Sequence, residues 1–214
     1  MKSRLSVVAL ALFVLLQNAS LAATRTTTNA TAAAPGTTGT ATFAGGCFWC
    51  METQFEAFPG VKSVTSGYTG GFKSHPTYEE VGAHTTGHFE SIEIVFDPRV
   101  VSYAQLLDRF WHGVDPTQGD GQFCDIGETY RSAIFFHDET QHRLALESKQ
   151  ALEKSGVLES AIVTAILPAK TFWRAEEYHQ DFWKKDPLRY HSYREGCGRD
   201  RRLKELWGKD AAAH

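Results

Sequence analysis

Cys47 and Cys50 stand three residues apart in Gly45-Gly46-Cys47-Phe48-Trp49-Cys50-Met51-Glu52, with two large aromatics between them. Upstream, Ala41-Thr42-Phe43-Ala44 reads as the end of a strand. Downstream, Phe48, Met51, Phe55 and Phe58 recur at spacings of three and four, which is one face of a helix. Cys47 therefore falls at or just before a helix N-terminus, where unpaired N–H groups and the helix dipole favour a thiolate. A thiolate is a nucleophile at neutral pH, and a second thiol one helical turn away can capture whatever forms on it. Redox or nucleophilic cysteine chemistry is one reading of the pair. A buried structural pair, or half of a metal site, is the other, because isolated C-x-x-C pairs also serve those roles.

Glu90 is the second residue at odds with its surroundings. Segment 88–96 alternates as a strand, and Glu90 shares its phase with Ile92, Ile94 and Phe96. That face is expected to be buried, where a carboxylate is costly unless it is paired or stays protonated. A neutral carboxylic acid beside a thiolate is a proton donor. At a frayed strand end the same residue would simply reach solvent. Tyr78, Asp125 and Tyr130 lie in or beside loops. Tyrosine hydroxyls can hold a polar oxygen while their rings keep water out, although a single tyrosine more often only packs. Asp125 follows Cys124 and precedes Ile126-Gly127, a setting that suits a turn-forming side chain as well as a site residue. His75, His84 and His88 are close in sequence, but their spacings match no helical ligand pair. Cys124 and Cys197 do not supply the second matched pair of a zinc module, so no metal site is expected.

The elements that must hold these residues follow from the same patterns. Residues 61–68 read as a strand. The stretch 70–76, rich in turn residues, is a loop leading into a short helix over 77–83. Strand 88–96 ends at Asp97-Pro98, and Ser102 caps an amphipathic helix that reaches Val114. Residues 115–128 form a long polar loop with several glycines, a kind that often carries function. A strand over 130–136, a helix over 138–155, a short buried strand over 162–167 and a helix over 175–185 follow. Past Asp186-Pro187 the chain turns basic and is expected to be a long flexible C-terminal tail, with Gly196-Cys197-Gly198 as its mobile point. Strands and helices mix without a strict βαβ repeat. That favours an α+β fold, a mixed β-sheet plait with a ferredoxin-like core and helices packed against it.

The 214-residue chain opens with Lys2, Arg4, a continuous apolar run over 5–16 and small residues near 20–23. This is the pattern of a signal peptide, read here over 1–23, and the run is short for a membrane span. Residues 24–40, rich in Thr and Ala without apolar periodicity, read as a disordered linker. About 170 residues remain, enough for one domain with a sizeable core. Residues 41–214 are expected to be a single catalytic domain, soluble and exported to the periplasm or secreted. Loss of the signal leaves 20 basic against 25 acidic residues, a formal charge of −5, where the full chain carries −3. No basic stripe accompanies that charge, which argues against nucleic acid or anionic membrane as a partner. Four cysteines in an exported protein suggest disulfides, yet positions 47, 50, 124 and 197 are not those of a small stapled scaffold.

Gly46-Cys47-Phe48-Trp49, Ser66-Gly67-Tyr68-Thr69-Gly70-Gly71, Pro76-Thr77-Tyr78-Glu79-Glu80-Val81 and Thr86-Gly87-His88-Phe89-Glu90 occur in order. Asp115-Pro116-Thr117, Asp125-Ile126-Gly127, Tyr130-Arg131-Ser132-Ala133-Ile134 and Glu177-Tyr178-His179-Gln180 follow them. Together, across residues 41–191, these motifs resemble the type A peptide methionine sulfoxide reductases. The resemblance implies that Cys47 attacks the sulfoxide sulfur, that Phe48 and Trp49 hold the substrate methyl, and that Glu90 assists protonation of the oxygen. It implies further that Tyr78 and Tyr130 bind that oxygen, that Asp125 shapes the site, and that the S epimer is selected. Attack would release methionine and leave a sulfenic acid on Cys47, which a second thiol converts to a disulfide.

The resolving thiol stays open, because many relatives carry a small residue where this chain has Cys50 and resolve with a C-terminal cysteine. Cys50 is expected to resolve first, the loop it closes being short, with Cys197 passing the disulfide outward. Cys124 reads as a bystander unless the Asp125 loop moves. No bound cofactor is expected. The reductant would be an external thioredoxin-like dithiol, and the substrates oxidised methionine in exported proteins and peptides, with free methionine sulfoxide as well. The mature protein is expected to be monomeric. Two other classes compete. A thioredoxin-like disulfide oxidoreductase predicts an aromatic just before the first cysteine and leaves Glu90 unexplained. A non-catalytic zinc or structural domain predicts bound metal, or fixed Cys47–Cys50 and Cys124–Cys197 disulfides.

Overall fold

The chain is described from a computed structural model covering residues 37–212, so the expected signal peptide and most of the expected linker lie outside the described residues. The strands are β1 (Gly39–Gly45), β2 (Val61–Thr69), β3 (Phe89–Phe96), β4 (Gly121–Gln122), β5 (Asp125–Ile126), β6 (Ser132–Phe136), β7 (Ala165–Pro168) and β8 (Trp173–Arg174). The helices are α1 (Phe48–Glu56), α2 (Tyr78–Gly82), α3 (Tyr103–Trp111), α4 (Glu139–Ser155), α5 (Phe182–Lys185), α6 (Pro187–Cys197) and α7 (Arg199–Trp207). One sheet runs β7-β6-β1-β3-β2-β8, antiparallel at every step except β6 beside β7. Its four longest strands stand in the order β6-β1-β3-β2, with α1 joining β1 to β2 and α3 between β3 and β6. That is the β-α-β-β-α-β plait, and the expected α+β mixed sheet is the observed fold.

The sheet positions its residues by register. Phe43 lies opposite Ile92 on one side and Ile134 on the other, so all three point to the same face. Phe55 from α1 and Phe110 from α3 close that face, with ring centroids 5.7 and 5.0 Å from that of Phe43. Fully buried side chains of this size each contribute about 1.5–3 kcal/mol. Glu90 and Tyr68 continue the same face as the next opposed pair beyond Ile92 and Ser66, at the end where β1 has already turned away. The far side of the sheet holds a smaller cluster of Ala44, Phe89, Ala133 and Phe135.

Several boundaries differ from the sequence expectation. β1 starts at Gly39, inside the expected linker, because Gly39 and Thr40 pair with Phe96 and Val95. Tyr130 is not in a strand but closes the 3-10 turn Glu128–Tyr130 ahead of β6. Residues 175–185 are not one helix. The Gln180 side chain accepts from the Ser66 N–H and donates to the Ser66 carbonyl, which pins this stretch along the edge of β2. A 3-10 turn (Glu177–His179), a left-handed Asp181 and the short α5 result. The C-terminal segment, expected as a flexible tail, is the helix pair α6–α7, with Tyr190, Arg194, Arg199, Leu203 and Trp207 buried. Its signals are local: Asp186 caps α6 by accepting from Arg189 N–H, Pro187 opens the helix, and Gly198 closes it in the left-handed conformation. Among the described residues, no helix is long and apolar enough to cross a membrane.

Candidate active site

The turn between β1 and α1 fixes the first thiol. Gly46 has φ +80°, and a Cβ there would stand 2.7 Å from Gln122 Cβ, so only glycine makes the turn. Cys47 then occupies the N-cap of α1 without a side-chain capping bond. A helix start leaves backbone N–H groups without helical partners, and here a carboxyl group takes one of them. The Phe48 N–H donates to Glu90 Oε2 at 3.1 Å, and the Asp125 side chain lines the same cavity as Cys47.

Glu90 is 2% exposed, so it is a buried strand residue and not a frayed end. Burial pushes its carboxyl up to about 8, and the charges of Asp125 and Cys50 push the same way against the Phe48 N–H. At neutral pH Glu90 is a carboxylic acid. The oxygen that accepts from Phe48 is the unprotonated one, which leaves the proton on the other.

Cys47 and Cys50 are both free and buried. Burial raises the Cys47 thiol well above its ordinary value, and its hydrogen bond with Cys50 and the charges of Cys50, Glu90 and Asp125 raise it further. Cys50 is lowered to about 6, first by the hydrogen bond from Cys47, with help from Arg199 and Arg194 and against its own burial. The helix N-terminus favours a thiolate on Cys47, and burial of that thiol opposes it.

Cys47, Phe48, Trp49, Tyr78, Glu90, Asp125, Tyr130 and Tyr193 enclose a cavity of about 60 Å³. Pockets for drug-sized ligands run to several hundred Å³, so this one fits the end of a side chain. Its walls are aromatic. Trp49 stacks on Phe182 with centroids 3.8 Å apart, and its indole N–H donates to His179 Nδ1 at 3.1 Å. Burial lowers His179 to about 4, so the ring is neutral with its proton on Nε2, an atom without a partner among the described residues. Tyr78 opens α2, and its N–H donates to Glu176 Oε1 at 2.9 Å. Burial and the Glu90 charge raise the Tyr78 hydroxyl to about 12 and push Tyr130 up as well, so both are hydrogen-bond donors.

All seven residues expected from the sequence to surround the first thiol, Phe48, Trp49, Tyr78, Glu90, Asp125, Tyr130 and Cys47 itself, meet at this cavity. Tyr193 was missed. It comes from α6, and its hydroxyl donates to Asp125 Oδ2. The signal was present: Tyr190, Tyr193, Arg194 and Cys197 recur at helical spacing behind an Asp-Pro start. Cys197 is not a free thiol on a mobile arm. As the last residue of α6 it is bonded to Cys124, next to Asp125. Of the two disulfides a structural domain would need, one is formed and the other pair is free. The histidines serve separate local contacts. His75 packs on Trp173, His84 reaches Thr129, and His88 joins the Gly71 N–H to the Lys73 carbonyl.

Residues 39–211 match the sequence profile of the family described as peptide methionine sulfoxide reductase. A peptide methionine sulfoxide reductase MsrA of Bacillus licheniformis is 54% identical over 169 residues, 79% of this chain and 93% of that protein. MsrA 2 of Staphylococcus aureus is 47% identical over 172 residues, 80% of this chain and 97% of that protein. Among solved structures, methionine sulfoxide reductase A of Corynebacterium diphtheriae is 34% identical, with a TM-score of 0.64 over 72% of this chain and 77% of that one. Mxr1 of Saccharomyces cerevisiae in reduced form is 30% identical, with a TM-score of 0.66 over 72% of this chain and 89% of that one.

Proposed function

The chain belongs to the type A peptide methionine sulfoxide reductases, enzymes that reduce peptide methionine (S)-S-oxide with thiols, and on that premise we propose how its residues divide the work. The methyl sulfoxide end of an oxidised methionine enters the 60 Å³ cavity with its methyl against Phe48 and Trp49. Tyr78 and Tyr130 donate to the sulfoxide oxygen, and Glu90 gives it a proton. A protonated oxygen can leave the sulfur; a bare oxide leaves poorly. The Cys47 sulfur attacks the sulfoxide sulfur, methionine departs, and Cys47 carries a sulfenic acid. Cys50 then displaces the hydroxyl as water and forms the Cys47–Cys50 disulfide. In sum, one sulfoxide and two thiols become one thioether, one disulfide and water; the sulfoxide gains the two electrons that the thiols lose.

The observation that carries this reading is the neutral Glu90 acid, tied to the Phe48 N–H one residue from the Cys47 nucleophile. Cys50 is preferred as resolver because it is free and one turn away, whereas Cys197 is engaged with Cys124. An external thioredoxin-like dithiol returns the enzyme to its thiol form, and the exposed Cys124, bonded to Cys197, offers a route by which electrons enter. The signal pattern over 1–23 supports export to the periplasm or beyond and repair of oxidised proteins there. The test is turnover of the separated epimers of N-acetylmethionine sulfoxide with dithiothreitol. Thioether from the S epimer alone, abolished by Cys47→Ser, is expected. Unchanged turnover in Cys47→Ser, or none from either epimer by the folded reduced protein, would overturn the reading.

A further inference from the structure

The 3-10 turn Glu177–His179 ends in a buried imidazole whose two nitrogens are treated differently. Nδ1 accepts from Trp49 Nε1–H at 3.1 Å, across 130 residues of chain, while Nε2 is buried without a partner among the described residues. Burial keeps the ring neutral, and an acceptor at Nδ1 requires the proton to sit on Nε2. The fold thus leaves one buried donor unsatisfied, which is costly, and keeps the bond to Trp49. The ring packs against Tyr78 and Phe48, with centroids 4.3 and 4.9 Å away. Both flanks of the turn are anchored. Glu176 accepts from the Tyr78 N–H at 2.9 Å and from the Tyr68 hydroxyl at 2.8 Å, and Gln180 bonds to both backbone groups of Ser66. His179 is thereby an acceptor fixed to the sheet.

Trp49 is held on its face by Phe182, with 3.8 Å between centroids and 12° between planes, while Tyr193 stands at 84° to it. A stack of this kind sets the plane of the indole but not the direction of its edges, because χ2 of tryptophan has two broad wells. Exchanging the wells keeps the ring in its plane and takes Nε1–H away from Nδ1. The hydrogen bond to His179 is the contact that tells the two apart. We propose that His179 is a positioning residue: by accepting from Trp49 it fixes the indole as a cavity wall and so restricts the sulfoxide to a methyl group on sulfur. The inference rests on the reductase reading, in which that methyl lies against Phe48 and Trp49. In a cavity of about 60 Å³ an extra methylene has little room while the wall stays in place. Once the indole can turn, that space is no longer fixed and a longer S-alkyl group can displace the ring. Glu90 and the two thiols are untouched by the change, so binding should suffer more than turnover.

The test compares kcat/KM of the full chain, with dithiothreitol, for the S-sulfoxides of N-acetylmethionine and N-acetylethionine, which differ by one methylene on sulfur. The unchanged protein should prefer the methyl compound by about 10–200-fold, the range for one methylene in an apolar pocket. His179→Leu fills similar space without an acceptor. It should lower that ratio by about 2–10-fold, the equivalent of one neutral hydrogen bond, with KM for the methyl compound rising more than kcat falls. His179→Asn sets its Oδ1 near the place of Nδ1 and should restore most of the ratio, whereas a general loss of stability would weaken both compounds alike. An unchanged protein indifferent to the methylene, a folded His179→Leu with an unaltered ratio, or a His179→Asn as impaired as His179→Leu overturns the proposal. Should His179→Leu fail to fold, nitrogen-15 NMR of the unchanged protein decides, with the indole signal assigned through Trp49→Phe. Nδ1 of His179 must be unprotonated at neutral pH and Trp49 Nε1–H must exchange slowly; a protonated Nδ1 or a freely exchanging indole is equally fatal. Turnover of neither sulfoxide by the folded, reduced protein loses the reductase reading. A ratio that falls in Trp49→Ala and not in His179→Leu loses only this inference.

Discussion

At Glu90, folding and chemistry pull in opposite directions. The same burial that holds its proton at neutral pH also makes ionisation destabilising. Catalysis that needs the acid form should fall as pH rises through about 8, and Glu90→Gln should lose roughly 10²–10⁴-fold in kcat, the range for a general acid. A flat pH profile above 8 would remove Glu90 from the proton path. The stability effect has a definite sign. The folded value, about 8, is above the ordinary 4.5, so the folded state holds the extra proton between them. This contribution is full below 4.5 and is lost as pH rises through 8, by up to about 1.4 kcal/mol per unit. Glu90→Gln cannot ionise, so its melting temperature should gain on the unchanged protein as pH rises across that window. Glu52, raised to about 7 mainly by burial, acts with the same sign but is common to both proteins. Glu90 was legible in the sequence because a period of two places a residue on a face without any tertiary knowledge. The helical spacing of Tyr193 was legible too, but its place at the site was not, because its partner Asp125 lies 68 residues away.

The helices show a division between elements capped for stability and one that is not. Thr77 and Ser102 close reciprocal capping boxes with Glu80 and Gln105 at the starts of α2 and α3, and Asp138 caps α4. At α1 that place belongs to Cys47, which leaves the Phe48 N–H to Glu90. Caps of the Thr-x-x-Glu and Ser-x-x-Gln kind can be read from sequence, and both helices begin where those residues stand. The stretch 175–185 could not be read so, since its helical composition yields to bonds between Gln180 and Ser66. Two alanine substitutions separate stability from function. Ser102→Ala should cost about 0.5–2 kcal/mol in unfolding free energy with kinetics unchanged. Thr77→Ala should cost a similar amount and also raise KM, because α2 begins with Tyr78 at the cavity. Denaturant melts and steady-state kinetics check both, and equal kinetics in the two variants would detach α2 from substrate binding.

On the scale of the whole molecule, the plait supplies Cys47 and Glu90, while the loops and C-terminal helices complete the cavity with Asp125, Tyr130 and Tyr193. The plait was legible because alternating strands and amphipathic helices carry local periodicity. The C-terminal contribution was hidden by a basic, glycine-flanked sequence that resembles a tail until Pro187 and Gly198 are taken as helix ends. The Cys124–Cys197 disulfide ties these two parts together across 73 residues of chain. A cross-link closing a loop of that length stabilises by about 4 kcal/mol in the chain-entropy treatment, and removing a native one commonly costs about 2–5. Replacing both cysteines by serine should therefore lower the melting temperature by roughly 2–4 °C for each kcal/mol lost. Yet Cys47 and Cys50 lie together at the start of α1 and need no third thiol to complete a turnover when dithiothreitol is the reductant. The double variant should keep its kcat below its melting point, with an increase in KM as the Asp125 loop and Tyr193 lose their tether. A folded double variant without turnover in dithiothreitol would place Cys124 and Cys197 within the chemical steps and displace Cys50 as the resolving thiol.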